Sequence, residues 1–333
     1  MHKVIRPTRR ELLCSGSAGA LLGLSGCLNP RGGSAAQVTA VEILAAGSLQ
    51  YALMMGLVQQ VDVPIEVETH GSATVARLVD SGRRDPDIVA LADTALFETL
   101  LTPPWYVEFA SNALVVVVNP STDGGQHLLD TDSDRWYQPL LTDHTSLGRT
   151  DPELDPLGYR TLFMLSLAAR YYDVPDLAER LLQREQIYPE TTLLSQFETG
   201  AIDAAVAYRN MAIERNYEFI SLPDEINLSH PNYITDWYAK TSYQLGNGLT
   251  IEGNLISYAA TIRHTRDASI QVFDKLVSND YLTNYGFLKR EESPSITGEA
   301  PATVSAMFDD VVSDHSNHKS EKMAPVGMLH GTP

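Results

Sequence analysis

Between residues 40 and 298, short apolar runs of strand length alternate with stretches of helical periodicity, and this alternation restricts the fold more than any other feature of the chain. Val41-Glu42-Ile43-Leu44-Ala45, Ile65-Glu66-Val67-Glu68 and Asp87-Ile88-Val89-Ala90-Leu91 read as strands, each followed by a turn of small residues and then a helical pattern. The alternation predicts α/β layers with largely parallel sheets. Leu114 to Asn119 carries four valines in a row, the pattern of a strand buried on both faces, and stops at Pro120. Helical periodicity follows near Tyr159 to Tyr172, Leu177 to Arg184 and Leu193 to Thr199, with strands expected at Ala204 to Tyr208 and near Phe219 to Leu222. No internal repeat interrupts this span.

A chain of 333 residues, 44% of them hydrophobic, holds more than one compact lobe usually does. If it leaves the first lobe along Leu114 to Asn119 and returns just after Tyr208, the result is two α/β lobes joined by two crossing segments. Lobe 1 is then expected over 40–117 and 213–298, and lobe 2 over 118–212. Such a layout makes a hinged cleft. Ligands of open α/β sheets sit beyond the carboxyl ends of strands, so the strand-to-helix turns are where a site belongs.

The two ends of the chain speak to location. Residues 1–26 have a basic start, an apolar stretch from Leu12 to Leu24 too short and too rich in Gly and Ser to span a bilayer permanently, and a small-residue processing site. Thr8-Arg9-Arg10-Glu11-Leu12-Leu13 resembles a twin-arginine export signal, and Leu24-Ser25-Gly26-Cys27 resembles a lipoprotein box that would place a lipid on Cys27. The other cysteine, Cys14, lies in the segment to be removed, so the exported chain would have no intrachain disulfide. The run up to residue 39 reads as a flexible tether. Residues 299–333, polar and without sustained periodicity, read as a disordered tail, and His315, His318 and His330 as solvated residues of it.

The formal net charge is −18, and the export signal carries four bases against one acid, so the exported form is more acidic still. This excludes a nucleic-acid partner, because counterion release needs a basic face. It suits a salty medium, where screening hides self-repulsion.

Several turns set a capping or small residue before a helical pattern. Ser48 in Ala45-Ala46-Gly47-Ser48-Leu49 and Ser72 in His70-Gly71-Ser72-Ala73-Thr74 are expected as helix N-caps, as is Asp155, with Pro156 in the first turn after it. Pro189-Glu190-Thr191-Thr192 precedes a further helix. Helix starts present unpaired N–H groups and the positive end of the macrodipole, so several converging on one cleft would bind an anion without a fixed positive charge. Asp151, Glu153 and Asp155 alternate as acids do in a calcium loop, but the glycine and terminal glutamate of an EF-hand are missing.

Taken in order, these segments resemble the archaeal-type molybdate/tungstate-binding proteins, the WtpA/ModA family, of ABC transporters. The segments that carry the likeness are Ala46-Gly47-Ser48-Leu49, Gly71-Ser72, Asp85-Pro86-Asp87-Ile88-Val89-Ala90, Trp105-Tyr106 with Phe109-Ala110-Ser111-Asn112, Asp151-Pro152, Asp155-Pro156-Leu157-Gly158-Tyr159-Arg160-Thr161, Ala204 to Tyr208, and Leu222 to Leu228. The resemblance implies a type II periplasmic-binding-protein fold. It implies an oxyanion held by Ser48 and Ser72 from the first lobe, and by Asp155, an amide near Thr192 and the Tyr208 hydroxyl from the second. Asp155 stands where a family carboxylate reaches the Mo or W of the bound oxyanion; the second such carboxylate would precede the tyrosine, where this chain has Ala207. The resemblance further implies a monomer without a cofactor, exported to the outer face of the cell membrane, delivering tungstate or molybdate to a membrane permease and its ATPase.

Two other readings compete. A carrier of sulfate or another small anion would use the same fold. A secreted α/β hydrolase or phosphatase would need a nucleophile elbow or a helical His/Glu metal pair, and neither motif occurs in its required context. The expectation is therefore a binding protein and not an enzyme.

Overall fold

The computed structural model describes residues 39–308, apart from 143, 184–185, 279 and 291–293. The expected export signal, Cys27 with most of its tether, and His315, His318 and His330 lie outside the described residues.

Four strands, β1 (Val41–Ala46), β2 (Ile65–His70), β3 (Ile88–Leu91) and β4 (Trp105–Ser111), come first, with helices α1 (Gln50–Met55) and α2 (Ser72–Asp80) between them. The next stretch runs β5 (Leu114–Val118), α3 (Asp123–Leu129), α4 (Tyr137–Leu140), β6 (Leu147–Thr150), α5 (Pro156–Tyr171), α6 (Leu177–Leu182), β7 (Gln186–Tyr188), α7 (Glu190–Glu198), β8 (Ala204–Tyr208), α8 (Arg209–Glu214) and β9 (Glu218–Ser221). A hairpin of β10 (Ser242–Gln244) and β11 (Thr250–Glu252) leads to β12 (Ser257–Ile262), α9 (Asp267–Val277), β13 (Ser295–Gly298) and α10 (Ala302–Ser305). One sheet has the order β13-β4-β12-β3-β1-β2 and the other β7-β6-β8-β5-β9, so the chain forms two lobes, each built on its own sheet.

The four valines of β5 lie inside the second sheet, between β8 and the edge strand β9, with α3 and α8 packed against the strand. Every residue of β5 is buried, as a strand covered on both faces requires.

Three expectations are corrected. The sheets are mixed, not largely parallel: β1 pairs in parallel with β2 and β3, and β6 with β7 and β8, but β12 and β5 run against their neighbours. A strand that enters a lobe from the hinge starts at the cleft end, where the other strands finish. Leu114 thus lies opposite Tyr208, and Ser257 opposite Ser111.

The lobe boundaries move for the same reason. The first crossing is at Ser111 to Leu114 and not at 117/118, because β5 hydrogen-bonds within the second sheet. The strand at Glu218–Ser221 does not return to lobe 1 but pairs with β5, and the return falls at residues 255–257. Ser111 Oγ donates to the Ile256 carbonyl at 2.7 Å, binding the two crossings side by side.

The disordered tail does not begin at 299. Pro301 leads into α10, whose Val304 is fully buried with Phe308 one turn on, both in the core; residues beyond 308 lie outside the described residues. Among the described residues no helix is long and apolar enough to cross a membrane.

Candidate functional site

The carboxyl ends of β1, β2, β6 and β8 all point to the seam between the lobes, and the residues anticipated from sequence sit at those ends. Ser48 is 2% exposed, Ser72 1%, Asp155 3% and Tyr208 0%. These values place each polar group where an unmatched hydrogen bond costs stability.

Ser48 and Ser72 are not N-caps. Ser48 is inside a single 3-10 turn, Gly47–Leu49, and Ser72 is the first residue of α2 with Gly71 as its cap; neither end has a side-chain capping bond. Long-range donors engage the two hydroxyls instead. The Ala92 amide donates to Ser72 Oγ at 3.0 Å, and Tyr258 Oη donates to Ser48 Oγ at 3.0 Å. Tyr258 in turn accepts from Asn112 Nδ2 at 3.2 Å, and Asn210 Nδ2 donates across the seam to the Ser48 carbonyl at 2.8 Å.

Asp155 is the N-cap of α5, with Pro156 after it as the sequence predicts; its Oδ1 accepts from the Leu157 amide at 3.1 Å. Its other oxygen, Oδ2, is buried without a hydrogen-bond partner among the described residues, and so is the nearby Thr150 Oγ1. Burial raises the Asp155 pKa to about 6, against the opposing pull of the Leu157 amide, Thr150 and the Arg160 charge. Asp151 and Glu153 do not join Asp155 in a calcium-like loop. Asp151 Oδ1 accepts from the Glu153 amide, and the Glu153 carboxylate accepts from Tyr243 Oη at 2.7 Å and the Gly246 amide at 2.8 Å, fastening the β10–β11 hairpin.

The Thr192 amide donates to the Pro189 carbonyl at 2.8 Å, in the first turn of α7. Pro189, together with His70, Gly71, Thr74, Leu154 and Asp155, lines a cavity of about 120 Å³ at the seam. A larger open depression of about 570 Å³ lies at the opposite ends of the lobe 1 strands. There Asp85 pairs with Arg263 at 2.9 Å and Asp87 with Arg266, so its two arginines are already engaged.

A buried guanidinium, paired with Asp93, stands beside Tyr208, and the sequence reading gives neither Arg160 nor Asp93 a role. Arg160, 3% exposed, donates from Nη1 to Tyr208 Oη at 2.8 Å and to the Ala92 carbonyl at 2.6 Å, and its Nη2 lies 3.1 Å from Asp93 Oδ2. Tyr159 Oη donates to the same Asp93 oxygen at 2.5 Å. Burial alone would lower the Arg160 pKa, but Tyr208, Asp93 and Tyr159 outweigh it and push it up, so the guanidinium stays charged. Burial and the Asp93 charge push the Tyr159 phenol well above its usual value. A circuit then links the three hydroxyls: Ser72 to Ala92, Ala92 to Arg160, Arg160 to Tyr208, the Tyr208 ring edge-on to Tyr258 at 6.3 Å, and Tyr258 to Ser48.

A sequence signal for this network existed. Arg160 is a charged residue within the buried part of α5, and Asp93 is an acid directly after the apolar run Ile88 to Ala92. Buried charges demand partners.

Residues 41–262 match the sequence model of the family described as bacterial extracellular solute-binding protein. A Haloferax volcanii protein, provisionally named an ABC transporter molybdenum-binding protein, is 50% identical over 303 residues, covering 90% of this chain and 97% of the relative. The molybdate/tungstate-binding protein WtpA of Pyrococcus abyssi is 31% identical over 229 residues, covering 61% of this chain and 66% of the relative. Among solved structures, the periplasmic molybdate-binding protein of Azotobacter vinelandii superposes with a TM-score of 0.51 at 14% identity, over 75% of this chain and 100% of that one, a likeness of fold.

Proposed function

Since this chain belongs to the family of bacterial extracellular solute-binding proteins, we propose that it captures tungstate or molybdate as the intact oxyanion, at the seam between its lobes, and delivers it to the permease and ATPase of an ABC importer. The observation that carries the reading is the treatment of Ser48 and Ser72. Each buried hydroxyl oxygen accepts from a protein donor, Tyr258 Oη for one and the Ala92 amide for the other, which leaves its own hydrogen to donate to an anion. Tyr208, whose Oη accepts from the Arg160 guanidinium, is polarised in the same sense.

Two relatives named for molybdenum or molybdate/tungstate support the choice of anion. The buried Asp155 Oδ2 is the group we assign to the Mo or W centre of the cargo. Ala207, fully buried and paired with Val115, puts no second carboxylate there, which argues against a six-coordinate centre and leaves most of the anion to be held by hydrogen bonds. The oxyanion is cargo, bound without chemical change, and the reading requires neither a resident cofactor nor a catalytic group; the working form is a monomer. Export by the twin-arginine route and a lipid on Cys27 would hold the protein at the outer face of the membrane. Cys27→Ser should release it to the medium, and continued retention in the membrane fraction would argue against the anchor.

Calorimetric titration of the purified protein in high salt with tungstate, molybdate, sulfate and phosphate tests the cargo. Tight binding of the first two with little response to sulfate is expected; the reverse order would make this a sulfate carrier. Ser48→Ala with Ser72→Ala should weaken binding at least about a hundredfold, taking each lost bond to a charged group as about 1.5–3 kcal/mol. Near-normal affinity in a folded double variant would remove both serines from the site.

A further inference from the structure

A deeply buried ion pair, Arg160 with Asp93, joins the two lobes. Asp93 follows β3 in lobe 1 and is 8% exposed. Tyr159 and Arg160 are on α5 in lobe 2. Asp93 Oδ2 receives the Tyr159 hydroxyl at 2.5 Å and stands 3.1 Å from Arg160 Nη2, while Arg160 Nη1 donates to the neighbouring Ala92 carbonyl at 2.6 Å. Two adjacent residues of lobe 1 thus gather three donors of lobe 2.

We propose that Asp93 is the catch of the closed form: a positioning residue on lobe 1 that Tyr159 and Arg160 engage when the lobes shut on the anion and release when they part. The inference rests on the reading of this protein as a two-lobed solute-binding protein, and it adds a role for residues that need not touch the cargo. Opening removes both lobe 1 acceptors from Arg160 at once and exposes the charges of Arg160 and Asp93 to water. A buried ion pair has a large desolvation cost that its attraction roughly cancels, so closing over this pair is close to neutral in free energy. A near-neutral closure is one that a bound anion can tip.

Two further features fit a pair that is wetted and dried in turn. A polar cavity of about 270 Å³, lined by Asp93, Glu98, Arg160, Thr250, Glu252 and Asn254, adjoins it and offers water a route in. The Ala92 peptide that accepts from Arg160 also donates to Ser72 Oγ, and Arg160 donates to Tyr208. Engagement of the catch therefore aligns one candidate anion donor from each lobe.

The test compares wild type with Asp93→Asn and Tyr159→Phe by small-angle X-ray scattering without cargo, and by stopped-flow kinetics with tungstate. Asp93→Asn should show a larger radius of gyration without cargo. It should also release tungstate at least tenfold faster, with association changed less than about twofold. Tyr159→Phe, which keeps the ring in place, should fall between, and it carries the test if Asp93→Asn does not fold. Unchanged scattering and unchanged dissociation in the folded variants overturn the catch. Slower association with unchanged dissociation also overturns it, by giving Asp93 a part in anion capture. Failure of wild type to bind any of the four oxyanions would sink the choice of cargo, and the scattering made without ligand would still decide on the catch.

Discussion

Gly71 approaches Leu154 so closely that a β-carbon on it would lie 2.5 Å from the Leu154 carbonyl oxygen and 3.1 Å from the Asp155 β-carbon. Gly71 caps α2 in lobe 1, whereas Leu154 and Asp155 precede α5 in lobe 2, so this is a contact of the seam. Thr74 Oγ1 adds a bond to the same carbonyl at 3.4 Å.

Gly71→Ala should act on closure and leave folding largely intact. The backbone at Gly71, φ −57° and ψ 138°, is open to alanine, so lobe 1 itself tolerates the methyl. The clash is with backbone across the seam, which must move by several tenths of an ångström. We expect a melting temperature within a few degrees of wild type and oxyanion affinity reduced at least about tenfold, roughly the 1–3 kcal/mol of overpacking. A folded variant with unchanged affinity would show that the seam closes differently around the cargo.

Asp155→Asn separates the capping role of the side chain from its charge. Asparagine caps as well as aspartate, so the bond from the Leu157 amide survives. The buried charge does not. Stability at neutral pH should hold or rise by about 1 kcal/mol, because an ionised oxygen without a partner is no longer buried. Tungstate affinity should fall if Oδ2 reaches the metal centre. Tighter binding in the variant would mean that the carboxylate merely repels the cargo.

Glu214 predicts a pH dependence. Its side chain is 1% exposed, its Oε1 accepts from Asn210 Nδ2 at 3.0 Å, and burial raises its pKa to about 8, against the opposing pull of Asn210 and Arg215. The folded pKa thus stands above the ordinary glutamate value of 4.5. Between those values the folded state keeps a proton that the unfolded state has lost, so this group's contribution to stability falls as pH rises through the window. Glu214→Gln keeps an acceptor for Asn210 and removes the titration. In urea unfolding from pH 5 to 8.5, the variant should gain on wild type with rising pH, by roughly 2–4 kcal/mol in all. A constant difference would mean that water or Arg215 already compensates the charge.

Much of the architecture was legible from local pattern. The periods of β1, β3 and β8, the Asp155-Pro156 start of α5 and the buried valines of β5 all appear where the residues indicate. Those signals lie within a few residues of one another, because burial period and helix capping are local properties. The ordered set of turns also pointed to the solute-binding family.

What the local pattern left open was partnership. Nothing near Leu114 says that β5 pairs with β8 and β9 and not with lobe 1, since an all-apolar strand fits the middle of either sheet. Ser48 and Ser72 look like helix caps because serine commonly caps; their hydroxyls instead accept from Tyr258, 210 residues away, and from the Ala92 amide. Asp93 and Arg160 are 67 positions apart and form a pair only once two lobes exist to bring them together. The residues alone carried β1 to β3, β5, β8, the long helix α5 and the family, because burial period, capping and turn chemistry are local. Tertiary structure alone decided which polar groups meet at the seam, because a hydrogen bond or ion pair is specified by distance in space, and the chain sets that distance only by folding.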